Sequence, residues 1–444
     1  MREFAKPDST LSKILPPQEL IHNKNYVKSQ FVIPYSDKGR WFVYNNLTCQ
    51  TWELDQPLKD QYKASSIEMD CDLTRLMQGY FLVPKGKNEC QFYEDLFNVL
   101  RTLRKPKGIK VYTILPTLAC NARCVYCYEE GMPQKTMTYE IVEQTVQYIL
   151  KTKDDGIIEL GWFGGEPLLG ESIIDSICKK LRSAGVKYTS HIITNGSLLS
   201  KAMVDKIVDF WNVSRVQISM DGAESDYIAR KRYLVYQDYY NSVMKAVNLL
   251  TSRNIIVSIR CNVDEKNINS IQQVISDLSA VINDKDKVCI YLAPLYSVRT
   301  GKDDLYMWKR VFDAEMLIKA AGFNLGSRKS GGVIPRIHHC MADAGNVVIS
   351  PDGKLFSCEH CTSNSKFGDV ISGIIDEKAR LEFCRMDRTR DMCRKCPFLP
   401  DCTSFATCPV KNTHCKEKMM MQFEYSMNRL VVSSEVPEQI NPVC

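Results

Sequence analysis

Three cysteines constrain this chain more than any other feature: Cys120-Asn-Ala-Arg-Cys124-Val-Tyr-Cys127. They follow an apolar run, Val111 to Leu115, that reads as a strand. A C-x3-C-x2-C spacing supplies three thiolates, one short of a four-coordinate zinc site. A cubane iron–sulfur cluster can take three thiolates on three irons and keep its fourth iron open, where a small molecule is bound and reduced. The competing account is a partial zinc knuckle or three structural thiols.

The rest of the cysteine usage points the same way. The chain has 19 cysteines in 444 residues. Its first residues, Met-Arg-Glu-Phe-Ala-Lys-Pro-Asp, hold no apolar signal core, which predicts a cytoplasmic protein in a reducing compartment, where metal binding explains cysteine better than disulfides do. Nine of the cysteines fall between Cys340 and Cys415, while Cys49, Cys71, Cys90, Cys178, Cys261, Cys289 and Cys444 are scattered and read as packing residues. No run of apolar residues is long enough to span a membrane. The length suggests two or three domains. A net charge of +6 is mild for this size and gives no reason to invoke nucleic acid, and the basic run Arg101 to Lys110 reads as a solvated linker.

Three units emerge along the chain. Residues 1–105 begin with a loose lead-in. Two strand-like stretches follow, Ser29 to Tyr35 and Trp41 to Tyr44, separated by the turn signal Ser36-Asp-Lys-Gly39. Leu47 to Leu54 is a third extended piece, and residues 56–104 carry short helical patterns around Tyr80-Phe-Leu-Val-Pro84. From 106 to 325 strands and helices alternate. The strands are Val111–Leu115, Ile157–Phe163, Tyr188–Thr194, Arg215–Ser219, Ile255–Val263 and Val288–Pro294. The helices are Thr138–Lys151, Ile173–Ala184, Lys201–Phe210, Tyr239–Thr251, Ile268–Ile282 and Leu305–Ala321. Six such units imply right-handed crossovers, a parallel sheet with helices outside, and an α/β partial barrel open on one side. Residues 326–444 hold a hairpin pattern, Gly345 to Cys358 around Pro351-Asp-Gly353, and then Cys361, Cys384, Cys393, Cys396, Cys402, Cys408 and Cys415.

Chemistry-bearing motifs fall at the C-terminal ends of the strands, where ligands bind in barrel folds. Gly164-Gly165-Glu166-Pro167 follows the second strand. Its glycines permit close backbone approach and its carboxylate can pair with an ammonium. Thr194-Asn195-Gly196 follows the third strand and Ser219-Met-Asp221-Gly222 the fourth; both also suit plain turns and caps. Arg230-Lys231-Arg232 comes next, and Arg260 and Asn262 end the fifth strand, with Asn267 opening the helix beyond.

The cysteine spacing, with Tyr126 directly before Cys127, closely resembles the radical S-adenosylmethionine (radical SAM) superfamily. That resemblance implies a (β/α)6 partial barrel. It also implies a [4Fe–4S] cluster on Cys120, Cys124 and Cys127, and SAM held by Tyr126, Gly164, Gly165, Glu166, Asn195, Ser219, Arg230 and Lys231. Family members often carry histidine where Tyr227 stands. The C-terminal spacing resembles a SPASM domain with two auxiliary [4Fe–4S] clusters. This implies Cys340, Cys358, Cys361 and Cys408 for the first and Cys393, Cys396, Cys402 and Cys415 for the second, leaving Cys384 spare. The N-terminal unit resembles the winged-helix-like domains with which peptide-modifying members capture a leader peptide as an added strand.

Taken together, the resemblance implies a 5′-deoxyadenosyl radical that abstracts hydrogen from a ribosomally made precursor peptide and installs an intramolecular carbon–carbon or thioether crosslink. A flavodoxin- or ferredoxin-type donor would supply the electron, and the auxiliary clusters would accept one back. Neither nucleic acid nor membrane is an implied partner. The alternatives are a formylglycine-forming sulfatase maturase, a nucleic-acid-modifying radical enzyme and a non-catalytic zinc-stabilised regulator.

Overall fold

The computed structural model describes residues 2–5, 15, 17–19, 21, 25–64, 70–103, 107–235, 237–295, 304–325, 345–360, 366–383, 391–402, 419–421, 423–424 and 427. The N-terminal unit is built from β1 (Arg2–Ala5), β2 (Tyr26–Lys28), β3 (Val32–Asp37), β4 (Arg40–Asn45), β5 (Thr51–Leu54) and β6 (Leu82–Pro84). Strands β1, β5, β4 and β3 form an antiparallel sheet in that order, and β2 pairs with β6. The β3–β4 turn is Lys38-Gly39, with φ +46° and +80° at its two residues. Asp37 faces Arg40 across it, the two-residue geometry that matches the twist of the flanking strands. Helices Gln56–Lys63, Cys71–Gln78 and Glu89–Leu103 complete the unit. The first two are capped by Asp55 and Asp70, whose carboxylates accept from Leu58 N at 3.1 Å and Leu73 N at 2.8 Å.

The barrel strands are β7 (Val111–Thr117), β8 (Ile158–Gly164), β9 (Tyr188–Thr194), β10 (Val213–Ser219), β11 (Ile256–Val263) and β12 (Val288–Pro294), all parallel and hydrogen-bonded in sequence order. Alternate residues, among them Tyr112, Leu160, Ile192, Val216 and Ile259, turn outward and form one core with the surrounding helices. The opposite face is polar. His191 Nδ1 lies 2.7 Å from Glu159 Oε1, Arg215 Nη2 reaches the same oxygen at 3.0 Å, and the Tyr291 hydroxyl donates to Gln217 at 2.8 Å. The expected six strands and their helices are all present. Helix Glu224–Lys231 is an addition, and residues 268–270 form a separate 3-10 turn before helix Ile271–Val281.

Two further pieces extend the barrel sheet to eleven strands: β13 (Asn324–Leu325) beside β12, and β14 (Asn346–Ile349) beside β7. Strand β14 pairs in parallel with β7, Asn346 opposite Val111 and Ile349 opposite Ile114. It then turns through Pro351-Asp-Gly353 into β15 (Lys354–Phe356), with Val348 opposite Phe356. Strands β16 (Lys366–Asp369) and β17 (Gly373–Ile374) complete the run. The expected C-terminal hairpin therefore exists, and it is continuous with the barrel. Among the described residues, no helix is long and apolar enough to cross a membrane.

Candidate functional site

The cysteine loop leaves the end of β7 and is braced before any ligand is considered. Thr117 Oγ1 accepts from Ala119 N at 3.0 Å and lies 2.8 Å from Thr136 Oγ1, while Leu118 N donates to Lys135 O at 2.8 Å. Across the mouth of the barrel the loop is pinned to the end of helix Glu224–Lys231. Arg123 N donates to the carbonyls of Lys231 and Arg232, each at 3.0 Å, and Val125 N to that of Arg230 at 3.0 Å. Cys120, Cys124 and Cys127 are half-buried. Burial pushes the Cys120 thiol up to about 11, with Glu166, Cys124 and Cys127 adding to the rise, and burial also raises Cys124 and Cys127. Bare thiols resist ionising here, so it is the positive charge of bound iron that would make them thiolates. Among the described residues no three His, Cys, Asp or Glu side chains close on a single-ion site. Thiolates of a cubane each sit on a different iron and need not converge.

Gly164 and Gly165 press against that loop. A Cβ on Gly165 would lie 2.4 Å from Ala119 O and 2.5 Å from Leu118 O; one on Gly164, where φ is +120°, would lie 2.3 Å from Thr117 O. The close approach these glycines permit is to the chain's own cysteine loop. Glu166 is fully buried. Its carboxylate accepts from Thr194 Oγ1 at 2.7 Å, Asn195 N at 2.8 Å and Leu168 N at 3.1 Å, which joins the ends of β8 and β9, and burial raises its pKa. Asn195 donates from Nδ2 to Asn121 Oδ1 at 2.9 Å and to Cys120 Sγ at 3.9 Å.

The charged centre lies opposite. Lys231, 1% exposed, donates to Ser219 Oγ at 2.7 Å and to the Tyr126 hydroxyl at 3.2 Å, and pairs with fully buried Asp221 at 3.2 Å. Burial opposes the ammonium's charge, but Asp221, Tyr126 and Cys124 outweigh it, and its pKa lies well above the usual lysine value. The Tyr126 hydroxyl donates to Asp221 and accepts from Asn262 Nδ2 at 3.1 Å, tying the cysteine loop to the ends of β10 and β11. Asn267 donates to Asp221 O at 2.6 Å and Asn262 O at 2.9 Å. Arg230 is buried and pairs with Asp264 at 2.9 Å, yet its Nε and Nη2 have no hydrogen-bond partner. Two orphaned guanidinium donors beside the cysteine loop fit an anionic group such as a carboxylate. Arg232 is exposed with a left-handed backbone. Tyr227 is fully buried, its hydroxyl 2.6 Å from that of Tyr233, and burial pushes it up to about 12.

The structure therefore brings Cys120, Cys124, Cys127, Tyr126, Gly164, Gly165, Glu166, Asn195, Ser219, Arg230 and Lys231 to one end of the barrel. Among the C-terminal cysteines, Cys358 follows β15, and Cys393, Cys396 and Cys402 lie in a second segment; all four are half-buried. Cys340, Cys361, Cys384, Cys408 and Cys415 lie outside the described residues. One contact escapes sequence reasoning altogether. The Tyr128 ring, next to Cys127, lies 4.5 Å between centroids from that of His360, two residues after Cys358, and is tilted by 40° to it; burial lowers that imidazole's pKa, with Glu359 opposing the fall and Arg260 adding to it. Its signal was only adjacency: an aromatic after one cysteine motif and a histidine inside another.

Comparison with known proteins agrees with this geometry. The Radical SAM superfamily description matches residues 114–278. The antilisterial bacteriocin subtilosin biosynthesis protein AlbA of Bacillus subtilis is 27% identical over 172 residues, spanning 37% of this chain and 36% of that protein. Two solved structures share the fold. The first, anSMEcpe with bound AdoMet, has a TM-score of 0.56 at 18% identity, covering 74% of this chain and 100% of that one. Streptococcus suis SuiB bound to precursor peptide SuiA has a TM-score of 0.52 at 13% identity, covering 87% and 96%. With the cysteine loop, the glycines and the buried cations assembled at the mouth of a six-stranded partial barrel, residues 114–278 form a radical SAM domain, that of an enzyme that uses SAM and a [4Fe–4S] cluster.

Proposed function

We propose that this enzyme matures a ribosomally made peptide: it holds a precursor through its leader and installs an intramolecular crosslink, carbon–carbon or thioether, in the core. The observation that carries this reading is the small sheet-and-helix unit ahead of the barrel. The anSMEcpe likeness covers the whole of that chain but only 74% of this one, whereas the SuiB likeness extends to 87%. SuiB was solved with a precursor peptide, and AlbA takes part in making a peptide bacteriocin, both in keeping with a peptide substrate here. An antiparallel sheet is the element to whose edge an extended leader can add as a further strand.

When bound, the cluster and SAM supply a 5′-deoxyadenosyl radical; the rest is positioning by this chain. Cys120, Cys124 and Cys127 hold the cluster. Arg230 and Lys231, with Ser219, receive the carboxylate of SAM. Glu166 and Asn195, with the backbone of Gly164 and Gly165, keep the amino end against the cysteine loop, and Tyr126 locks that loop to the strand ends. Hydrogen abstraction needs the target carbon within about 3–4 Å, so the barrel mouth sets which residue reacts. A new bond also requires loss of a second electron. We assign that role to two auxiliary [4Fe–4S] clusters in a SPASM domain, on Cys340, Cys358, Cys361 and Cys408 and on Cys393, Cys396, Cys402 and Cys415, for three clusters in all. The Cys358 segment touches the radical loop through Tyr128 and His360, while Cys393–Cys402 lies elsewhere, in keeping with two separate sites. A flavodoxin- or ferredoxin-type donor completes the electron path.

The test is anaerobic incubation with SAM, a reductant and a short peptide encoded beside the gene. A product lacking two hydrogens per new bond, together with 5′-deoxyadenosine, is the expected result. Replacing Cys120, Cys124 and Cys127 by alanine abolishes 5′-deoxyadenosine while leaving auxiliary iron in place; continued production would overturn the assignment of the radical site. Formylglycine at a cysteine or serine, with no crosslink, would favour sulfatase-maturase chemistry instead.

A further inference from the structure

The N-terminal sheet is buried on both faces. Along β4, Trp41 and Val43 turn toward the helices of their own unit and pack with Leu58, Tyr62, Leu73 and Leu76. Phe42 and Tyr44, one step out of phase, turn the other way. There they meet a segment more than 350 residues away in sequence. Ile33, Phe42, Tyr44 and Cys49 form one apolar cluster with Phe398 and Met427, against which Cys396 itself packs. The rings of Tyr44 and Phe423 lie 5.2 Å apart. Leu399 inserts into a second cluster with Phe31, Leu47, Tyr93 and Phe97. Two hydrogen bonds fix the register of this contact: Asn46 Nδ2 donates to Pro397 O at 3.0 Å, and Gln30 Nε2 to Arg394 O at 3.1 Å. Asn46 is 3% exposed and is held in turn by its own N–H on Phe31 O at 2.9 Å.

Every one of those partners except Phe423 and Met427 falls between Cys393 and Cys402. That stretch has little structure of its own: helix Asp391–Arg394, a 3-10 turn at Leu399–Asp401, and the turn bonds Cys396 N to Cys393 O at 3.2 Å and Leu399 N to Cys396 O at 3.2 Å. Ordering such a segment costs backbone entropy at every residue, which three or four local hydrogen bonds do not recover. The support must come from the sheet on one side and from whatever the thiols hold on the other. The donors Cys393, Cys396 and Cys402 are all sulfur, as an iron–sulfur cluster requires, and the apolar cover over Cys396 is the surrounding that keeps water from such a group.

We infer that the N-terminal sheet is a wall of the Cys393–Cys402 site, so that filling this site and seating the N-terminal unit are one equilibrium. A ligand that binds only the ordered loop stabilises everything packed upon it. The inference rests on reading these cysteines as ligands of the second auxiliary cluster; it does not require that the substrate be a peptide.

The experiment uses the full chain, loaded anaerobically, with a chelator to strip the auxiliary iron and hydrogen exchange as the readout. Stripping is expected to raise exchange at residues 32–45 about ten-fold while residues 257–263 of the barrel stay protected. In the other direction, Phe398→Ala and Asn46→Ala are expected to release about a third of the iron, one cluster's share, about ten times faster than the wild type, with the radical-site cluster unchanged by paramagnetic resonance. Unchanged exchange on stripping, or wild-type release in both variants, overturns the inference. Should either variant fail to load, the exchange measurement on the wild type decides alone. A precursor that fails to bind, with the exchange response intact, removes the peptide reading and leaves the wall standing.

Discussion

Lys231 and Asp221 show how much the radical site depends on single side chains. Both are buried, and each satisfies charge that the other would leave stranded. Lys231→Met strands the Asp221 carboxylate and should lower the stability of the apoprotein by about 3–5 kcal/mol, read from its denaturant midpoint. Adding Asp221→Asn should recover most of that loss, because Tyr126 and Asn262 still have a polar partner. Gly165→Ala acts through shape alone. Its methyl would meet the carbonyls of Leu118 and Ala119 and push the loop just before Cys120. Iron content should fall by about four per chain, with the iron of the proposed auxiliary clusters retained. These motif residues were legible from spacing because a strand end followed by a glycine pair or an Asx turn has a local signature. Their internal partners were not. Nothing local in Gly-Gly-Glu-Pro says that Glu166 points into the protein to join two strand ends.

Among the elements, the barrel strands and helices could be read because their apolar residues repeat with the period of each structure. Helix Glu224–Lys231 could not. It buries one aromatic, Tyr227, and two cations, Arg230 and Lys231, so the apolar stripe that announces a helix is missing. The C-terminal hairpin was readable from Pro-Asp-Gly, but its pairing with β7 joins residues some 235 positions apart and leaves no local trace. Asp352, at the hairpin's tip, gives this element a pH dependence. Burial would raise its carboxyl, but Lys354, Ser350 and Lys135 hold it down at about 2, below the unfolded value. The stability it supplies is complete above about pH 4 and drains away as pH falls toward about 2. Denaturant midpoints of the apoprotein across that range should slope downward in the wild type and slightly less steeply in Asp352→Asn. The effect should be small, because the carboxylate is partly exposed and screened.

Across the whole molecule, contacts tie together units that the sequence divides at about 105 and 325. The barrel sheet runs on into the C-terminal hairpin, and the N-terminal sheet rests on Phe398 and Leu399. Deleting residues 1–105 therefore removes more than the proposed peptide-docking unit, since it uncovers a large apolar surface beside Cys396. The truncated chain should load fewer irons than the intact protein and self-associate, seen by metal analysis and light scattering. No periodicity could have announced this, because apolar residues that cover another unit look the same in sequence as those of a private core.

The strand Arg2–Ala5 carries a consequence of its own. It lies on β5, with Arg2 opposite Glu53 and Ala5 opposite Thr51, and the pairing slips between Glu3 and Ala5. At the far edge, β3 carries Pro34, which has no N–H to offer a newcomer. A segment tethered to its own docking edge competes at an effective concentration in the millimolar range, on the order of 1 mM. Any extended peptide seeking β5 must outbid that resident, so casual strand pairing with unrelated chains is suppressed and only a sequence with further contacts of its own can take the place.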